Sequence, residues 1–173
     1  QSETILRENP QSVPAMFVRA SALANGEANP PAALHQLQIL RQYLEECGRE
    51  NPANAIAREW YVRSLFQEMD VLQRLGRDAE VVRCVELVEQ VIGPQPRMKV
   101  WPMFRLNRLD EAEAMIVATE KTGKWNRSAL NSRGTLELQR FHRTPTYDIY
   151  KKMADLEPNG EIYQSNFGEA ALV

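Results

Sequence analysis

The sequence is poor in the residues that build metal sites. It has two cysteines, Cys47 and Cys84, and two histidines, His35 and His142. No CxxC or HxxxH spacing is present, so these side chains do not match the four-ligand sets that zinc requires. We therefore predict no metal and no other cofactor. Both cysteines are interpreted as free thiols that pack as small apolar side chains.

Motifs for catalysis are also missing. The chain has no glycine-rich phosphate loop, nucleophile elbow or HExxH motif, and neither histidine has a serine or cysteine nucleophile at a suggestive spacing. The acidic run Asp110-Glu111-Ala112-Glu113 could suggest a cation site, but we interpret it as first-turn charge that favours the helix dipole. The chain is predicted not to be an enzyme.

Long apolar runs and a strong net charge are absent as well. The longest apolar runs fall far short of the ~20 residues that cross a bilayer, so no membrane insertion is predicted. The 21 Lys+Arg and 23 Asp+Glu residues leave a net charge of -2, which does not steer a protein toward nucleic acid. Because the chain begins at Gln1, we expect a piece of a longer protein whose original targeting segment has been removed. The compartment is therefore left open, with the cytoplasm slightly favoured over the periplasm or secretion.

What the sequence does contain is apolar residues at helical spacing almost throughout, with no stretch of period two. The hydrophobic content of 43% over 173 residues is enough for one domain with a sizeable core. The clearest stripes are Leu34, Leu37, Leu40 and Leu44; Tyr61, Leu65, Met69, Leu72 and Leu75; and Val81, Val85, Val88 and Ile92. The fold class is predicted to be all-α.

Helix ends are marked by asparagine, threonine, proline and glycine. Asn29-Pro30, Asn51-Pro52 and Thr144-Pro145 predict helix starts, and Gly48, Gly76, Gly93 and Gly123 predict left-handed C-terminal caps. The short connections make neighbouring helices antiparallel. The nine predicted helices span 13–24, 31–47, 52–75, 78–92, 96–106, 109–122, 126–141, 145–156 and 160–172.

The tryptophans and one proline give two further expectations. Trp60, Trp101 and Trp125 are interpreted as side chains that fill the core between hairpins. Pro102 should kink or shorten the helix predicted over 96–106. Residues 94–102 are therefore the segment most expected to form a special surface.

A glycine recurs at a fixed interval near the end of the chain. Gly134 and Gly168 are 34 residues apart, and both fall inside a predicted helix. A helical glycine costs about 1 kcal/mol relative to alanine, so the recurrence indicates a shared packing requirement. The expected reason is close approach of the second helix of each hairpin.

This pattern resembles the tetratricopeptide repeat. That family places a large residue at its fourth position, leucine and glycine at seven and eight, small residues at twenty and twenty-seven, and proline at thirty-two. The clearest copy begins at Arg127, with Leu130, Gly134, Tyr150 and Pro158 at positions four, eight, twenty-four and thirty-two. Further copies begin at Val62 and Gly93, and the turns inside the three copies fall on Gly76, Asn107 and Phe141, 31 and 34 residues apart.

The resemblance implies a right-handed α-α superhelix, or solenoid, built from about nine helices in antiparallel hairpins. We expect a single domain over 1–173, with a long, divergent first hairpin at 12–61 and repeat-like hairpins at 62–95, 93–126 and 127–160. A terminal helix at 161–173 would cap the stack here, and the natural protein would continue beyond it.

In this family the first helix of each hairpin lines a concave groove, through the second, fifth, ninth and twelfth positions of the repeat. The resemblance places these slots at Arg63, Phe66, Asp70 and Gln73, and at Ser128, Asn131, Thr135 and Leu138. Six of them are the predicted binding residues: Arg63, Phe66, Asp70, Gln73, Asn131 and Thr135. Family members that grip a C-terminal carboxylate use lysine, asparagine and arginine, and no lysine occupies a slot here.

The predicted function is a scaffold or adaptor that binds a protein or peptide partner, because polar groups beside Phe66 suit an extended peptide or a helix with one apolar anchor. Two alternatives stay open. The chain could be a non-catalytic helical domain of a larger enzyme, or a self-association module that forms homo-oligomers.

Overall fold

The computed structural model describes residues 2–9, 11–122 and 126–156, and every regular element in those ranges is a helix. We number the α-helices in chain order; a π-helical turn, Ala22–Gly26, follows α2 directly. The helices are α1 Ser2–Glu8, α2 Val13–Ser21, α3 Pro30–Glu50, α4 Ala55–Arg74, α5 Asp78–Ile92, α6 Pro96–Arg105, α7 Leu109–Lys121, α8 Asn126–Gln139 and α9 Arg143–Leu156.

The chain divides between Gln95 and Pro96 into two compact units. In the first unit, α3 packs on α2 and α4, and α4 packs on α5. In the second, α6 packs on α7, α7 on α8 and α8 on α9. Alternate helices also touch, α2 with α4 and α6 with α8. Each unit is therefore built from stacked hairpins, and the single-domain assignment stays a prediction.

One turn geometry joins the two helices of three hairpins. Gly76, Asn107 and Phe141 have φ values of 68°, 55° and 60°. In each turn the next N–H donates to the carbonyl five residues earlier, which is the hydrogen bond of a Schellman cap. The pairs are Arg77 to Leu72 at 2.9 Å, Arg108 to Met103 at 2.9 Å and His142 to Glu137 at 2.8 Å. The predicted turn positions are confirmed.

Two asparagines cap the helix starts of the first unit. The Asn29 side chain accepts the Ala32 N–H at 3.2 Å, as predicted. The next start was predicted at residue 52 but lies later, because the Asn54 side chain accepts the Ala57 N–H at 3.0 Å and α4 begins at Ala55. Similarly, α9 begins at Arg143, before the predicted Thr144 cap.

Glycines end some helices but not all. Gly93, with φ at 87°, follows the end of α5 as predicted. The prediction at Gly48 was wrong, because α3 continues through it to Glu50. The helix stops at Asn51 instead, which precedes Pro52, and a residue before proline is disfavoured in the helical conformation. The predicted cap at Gly123 lies outside the described residues.

The core follows most positions of the predicted stripes. Leu34, Leu37, Leu40 and Leu44 are buried, as are Val81, Val85 and Val88. Ile92 is 50% exposed and Trp101 44% exposed, so their assignment to the core was wrong. Trp60 is half-buried, with its ring 5.4 Å from that of Phe17. Trp125 lies outside the described residues.

Gly134 lies where the second helix of its hairpin packs closely, as the repeat predicts. A Cβ built there would lie 2.8 Å from two ring carbons of Tyr150, so α9 approaches α8 too closely for a side chain. This confirms the expected reason for the glycine. Its repeat partner Gly168, Pro158 and the predicted terminal helix lie outside the described residues.

Short helix α1 was not predicted, because its seven residues carry no apolar stripe. Pro102 lies inside α6 and is buried. Among the described residues, no helix has the length and apolar character needed to cross a membrane.

Candidate functional site

The four predicted slots of the first unit share the exposed side of α4. Arg63, Phe66, Asp70 and Gln73 are all exposed, and their spacing of three and four residues places them on one helix face. The opposite side of the helix is buried through Leu65, Met69 and Leu72. The structure therefore brings these four residues together at the surface of the first unit.

Phe66 is flanked by charged side chains that already have partners on α4. The Arg63 Nη2 lies 2.6 Å from Glu59 Oε1, and its guanidinium lies 5.3 Å from the Trp60 ring centroid. Asp70 Oδ2 lies 2.6 Å from Arg74 Nη2. Such exposed ion pairs contribute little to stability, so they can exchange for a partner's charges at small cost.

A cleft of about 440 Å³ extends from Phe66 toward the end of α5. Val62, Val91 and Ile92 form its apolar wall together with Phe66, and Arg58 and Glu59 lie at its edge. The Arg58 guanidinium donates to the Val91 carbonyl at 2.9 Å, linking the two helices. The exposed Ile92 thus belongs to this cleft. Sequence periodicity could not show this, since Ile92 continues the buried stripe of α5.

A second cleft, of about 430 Å³, lies between the end of α3 and the start of α4. Glu45 and Tyr61 line this cleft and belong to a partly buried polar network. Glu45 Oε1 accepts from the Tyr61 hydroxyl at 3.2 Å and from Arg41 Nη1 at 2.8 Å. Arg41 Nε donates to Glu68 Oε2 at 3.1 Å. The network joins α3 to α4.

Burial dominates the electrostatics of this network. Glu68 is only 3% exposed, and desolvation raises the pKa of its carboxyl even though Arg41 opposes the shift. Burial also raises the pKa of Tyr61 to about 12 and that of the nearby Cys84 thiol to about 12. The sequence carried a signal for this site, because Glu68 falls on the buried side of α4, three residues after Leu65.

The predicted slots of the second unit are less exposed. Asn131 and Thr135 lie on one face of α8, and both are half-buried. The Thr135 hydroxyl donates to the Asn131 carbonyl at 3.1 Å and lies 3.2 Å from the Tyr150 hydroxyl. Leu138 is 38% exposed. Assembly of the α4 and α8 slots into one groove stays a prediction.

Comparisons with known proteins find a likeness of fold. No family model matches the sequence, and no curated protein matches it. The structure is similar to the crystal structure of a tetratricopeptide repeat protein from Parabacteroides merdae ATCC 43184, with a TM-score of 0.57 and 14% identity. The likeness covers 98% of this chain and 62% of that chain.

The fold is of the tetratricopeptide type. The predicted all-α class and the resemblance to this family are thereby confirmed. At 14% identity the likeness concerns the fold alone, and the chain spans under two thirds of the similar chain.

The tetratricopeptide register places three further slots on α6, and the one at the twelfth position, Phe104, is buried. The turn residues Gly76 and Phe141 are at position fifteen of the copies that begin at Val62 and Arg127. With Asn107 at the same position of the copy that begins at Gly93, Arg97 and Trp101 are its fifth and ninth positions. Both are exposed. These positions correspond to Phe66 and Asp70 on α4, and to Asn131 and Thr135 on α8. Sequence reasoning expected a special surface over 94–102 but did not name Arg97 and Trp101 as slots, because Trp101 was assigned to the core.

The polar clusters outside these slots have structural explanations. Asp110 and Glu111 lie in the first turn of α7, as predicted, and Asp110 and Glu113 each lie 2.8 Å from Arg140. His142 Nδ1 lies 2.6 Å from Glu137 Oε2. Within the described ranges, no group of three or more His, Cys, Asp or Glu side chains is placed to hold a metal. Both cysteines are free thiols.

Proposed function

We propose that this chain is a scaffold that binds a protein or peptide through the exposed faces of its first helices, α4, α6 and α8, and performs no catalysis of its own. The observation that carries the proposal is the exposure of Phe66 between charged side chains. Phe66 is 40% exposed on the side of α4 that the tetratricopeptide register assigns to the groove, with charged residues on both sides. An apolar anchor inside a polar rim is the usual composition of a binding patch.

The clefts of the first unit are open to solvent and not enclosed. Each has a volume of about 430 to 440 Å³, and the larger is lined mainly by apolar atoms from α4 and α5. An enzyme pocket buries most of a small ligand and brings convergent polar groups to it. The cleft beside Phe66 instead continues a helix face, which supports a side chain of a bound peptide as its occupant.

The test uses a library of random peptides displayed on phage and selected against the full chain. The affinity of the selected peptides is then measured for the wild type, Phe66→Ala and Ile39→Ala. Ile39 is the matched control, because it is 38% exposed but lies on α3. We expect Phe66→Ala to weaken binding at least tenfold and Ile39→Ala to leave it unchanged. Equal affinities for all three proteins would exclude Phe66 as an anchor.

A further inference from the structure

We propose that α6 selects acidic partners, through an exposed row formed by Arg97, Trp101 and Arg105, which we call the α6 row. Its ligand is an extended peptide segment in which two carboxylates flank an apolar side chain. The inference rests on the proposed function, because it assigns a partner chemistry to one of the first helices.

The spacing of the α6 row places its members on one side of the helix. Each member is four positions from the next, and all three are exposed. The buried residues of the helix include Val100, Met103 and Phe104. Consecutive members are about 6 Å apart along the helix axis, at 1.5 Å per residue. Alternate side chains of an extended peptide repeat at about 6.6 Å and point the same way. A segment of the pattern acidic-x-apolar-x-acidic therefore matches the row.

Trp101 is suited to hold the apolar side chain. Its ring is 5.5 Å from that of Phe104, at an interplanar angle of 84°, so the buried Phe104 supports it from below. Even so, 44% of Trp101 is exposed. A large ring held in place loses little conformational freedom on binding, and tryptophan and arginine are the residue types most enriched at interface hot spots.

The charge of α6 distinguishes it from the equivalent helices. Its ten residues include Arg97, Lys99 and Arg105 and no carboxylate. On α4 the position equivalent to Trp101 is the acidic Asp70. On α8 the equivalent positions carry the neutral Asn131 and Thr135. Among these three helices, α6 alone carries no carboxylate, and Arg97 and Trp101 occupy its fifth and ninth groove positions, which favours a negatively charged ligand.

The probe is a fluorescently labelled peptide, Ser-Glu-Ser-Leu-Ser-Glu-Ser, with both termini blocked so that no terminal carboxylate takes part. Fluorescence anisotropy is measured with the full chain at low and high salt. We expect the peptide with glutamine in place of both glutamates to bind about tenfold more weakly. The difference should shrink at high salt, because salt screens exposed charges.

Variants of the chain locate the contact. Trp101→Ala, and Arg97→Gln combined with Arg105→Gln, should each weaken binding of the glutamate peptide at least fivefold. Arg83→Gln removes an exposed arginine from α5 and should leave it unchanged. Circular dichroism checks that each variant retains its helices, which is expected because the substituted side chains lie at the surface.

Three results would overturn the inference. The first is equal binding of the glutamate and glutamine peptides. The second is unchanged binding of the glutamate peptide by both α6 variants. If Phe66→Ala still weakens binding of the library-selected peptides, that result would leave the proposed function intact. The third is tight binding of an eight-nucleotide oligo-dT in place of the peptide, since arginine and tryptophan also bind single-stranded nucleic acid.

Discussion

At Gly134 the ring of Tyr150 occupies the space that a side chain would need. An added Cβ would lie 2.8 Å from two ring carbons, and Tyr150 is only 4% exposed, so the ring has little room to move. Overpacking of this kind costs about 1–3 kcal/mol, against a gain of up to about 1 kcal/mol in helix propensity. We expect Gly134→Ala to lower the free energy of unfolding by about 1–2 kcal/mol, measured by urea denaturation.

The control for that substitution is Gly48→Ala. Gly48 also lies inside a helix, but nothing is within 4 Å of its added Cβ. This change should stabilise the protein by about 0.5–1 kcal/mol. Stabilisation by both substitutions would contradict the close approach of α8 and α9.

At Glu68 the stability of the fold depends on pH through a buried carboxyl. Its pKa is raised by burial, with Arg41 opposing and Glu80 and Glu45 adding to the shift. As pH rises, the Glu68 carboxyl loses its proton in the unfolded chain before it does so in the folded chain, which favours the unfolded state. The contribution of Glu68 to the free energy of unfolding therefore falls from about pH 4 upward, until the pH passes the raised pKa of the folded state. We expect the stability of the wild type relative to Glu68→Gln to decrease over that range.

Urea denaturation at a series of pH values measures the difference. Glu86→Gln is the matched control, because it removes a carboxylate from the exposed side of α5. The account of Glu68 fails if the wild type gains stability relative to Glu68→Gln as pH rises.

The two cysteines should differ in reactivity. Cys84 is 5% exposed, and burial raises the pKa of its thiol to about 12, so little of the reactive thiolate forms. Cys47 is half-buried. With a thiol reagent at pH 8, we expect Cys47 to react first and Cys84 to react only when the protein unfolds. Mass spectrometry of the labelled peptides reads both rates, and equal rates would contradict the described burial.

At the scale of elements, the Schellman turns are the most strictly repeated feature. Phe141 adopts a φ of 60° that costs an ordinary residue about 1–2 kcal/mol, and its side chain is 88% exposed. Glycine would remove that cost. We expect Phe141→Gly to raise the midpoint of thermal unfolding, whereas Gln139→Gly, two residues earlier at the last residue of α8, should lower it. A fall in both midpoints would show that the Phe141 ring stabilises the fold.

These turns were predictable because left-handed backbone limits the choice of residue, and Gly76 and Asn107 belong to the types that tolerate it. Phe141 was found only through the repeat interval. The end of α3 was not predictable from Gly48 alone. The helix continues through this glycine and ends before Pro52, because proline disfavours the helical conformation in the residue that precedes it. Periodicity also failed at Ile92 and Trp101. A spacing pattern identifies a helix face but does not tell whether another helix covers it.

At the scale of the whole molecule, the fold was accessible from the sequence although the similar solved structure is only 14% identical. Apolar spacing and short turns constrain a stack of hairpins without fixing particular residues. The candidate site was accessible in part. The register gave the exposed slots of α4, but the partners of Arg63 and Asp70 and the network around Glu68 depend on side-chain positions that spacing alone does not determine.

The central claim is that partners bind to the first helices of the hairpins. Hydrogen–deuterium exchange of the full chain, with and without a library-selected peptide at saturation, tests it most directly. We expect the peptide to slow amide exchange in α4, α6 and α8 while the second helices, α5, α7 and α9, exchange as before. Protection confined to α5, α7 and α9 would contradict the claim.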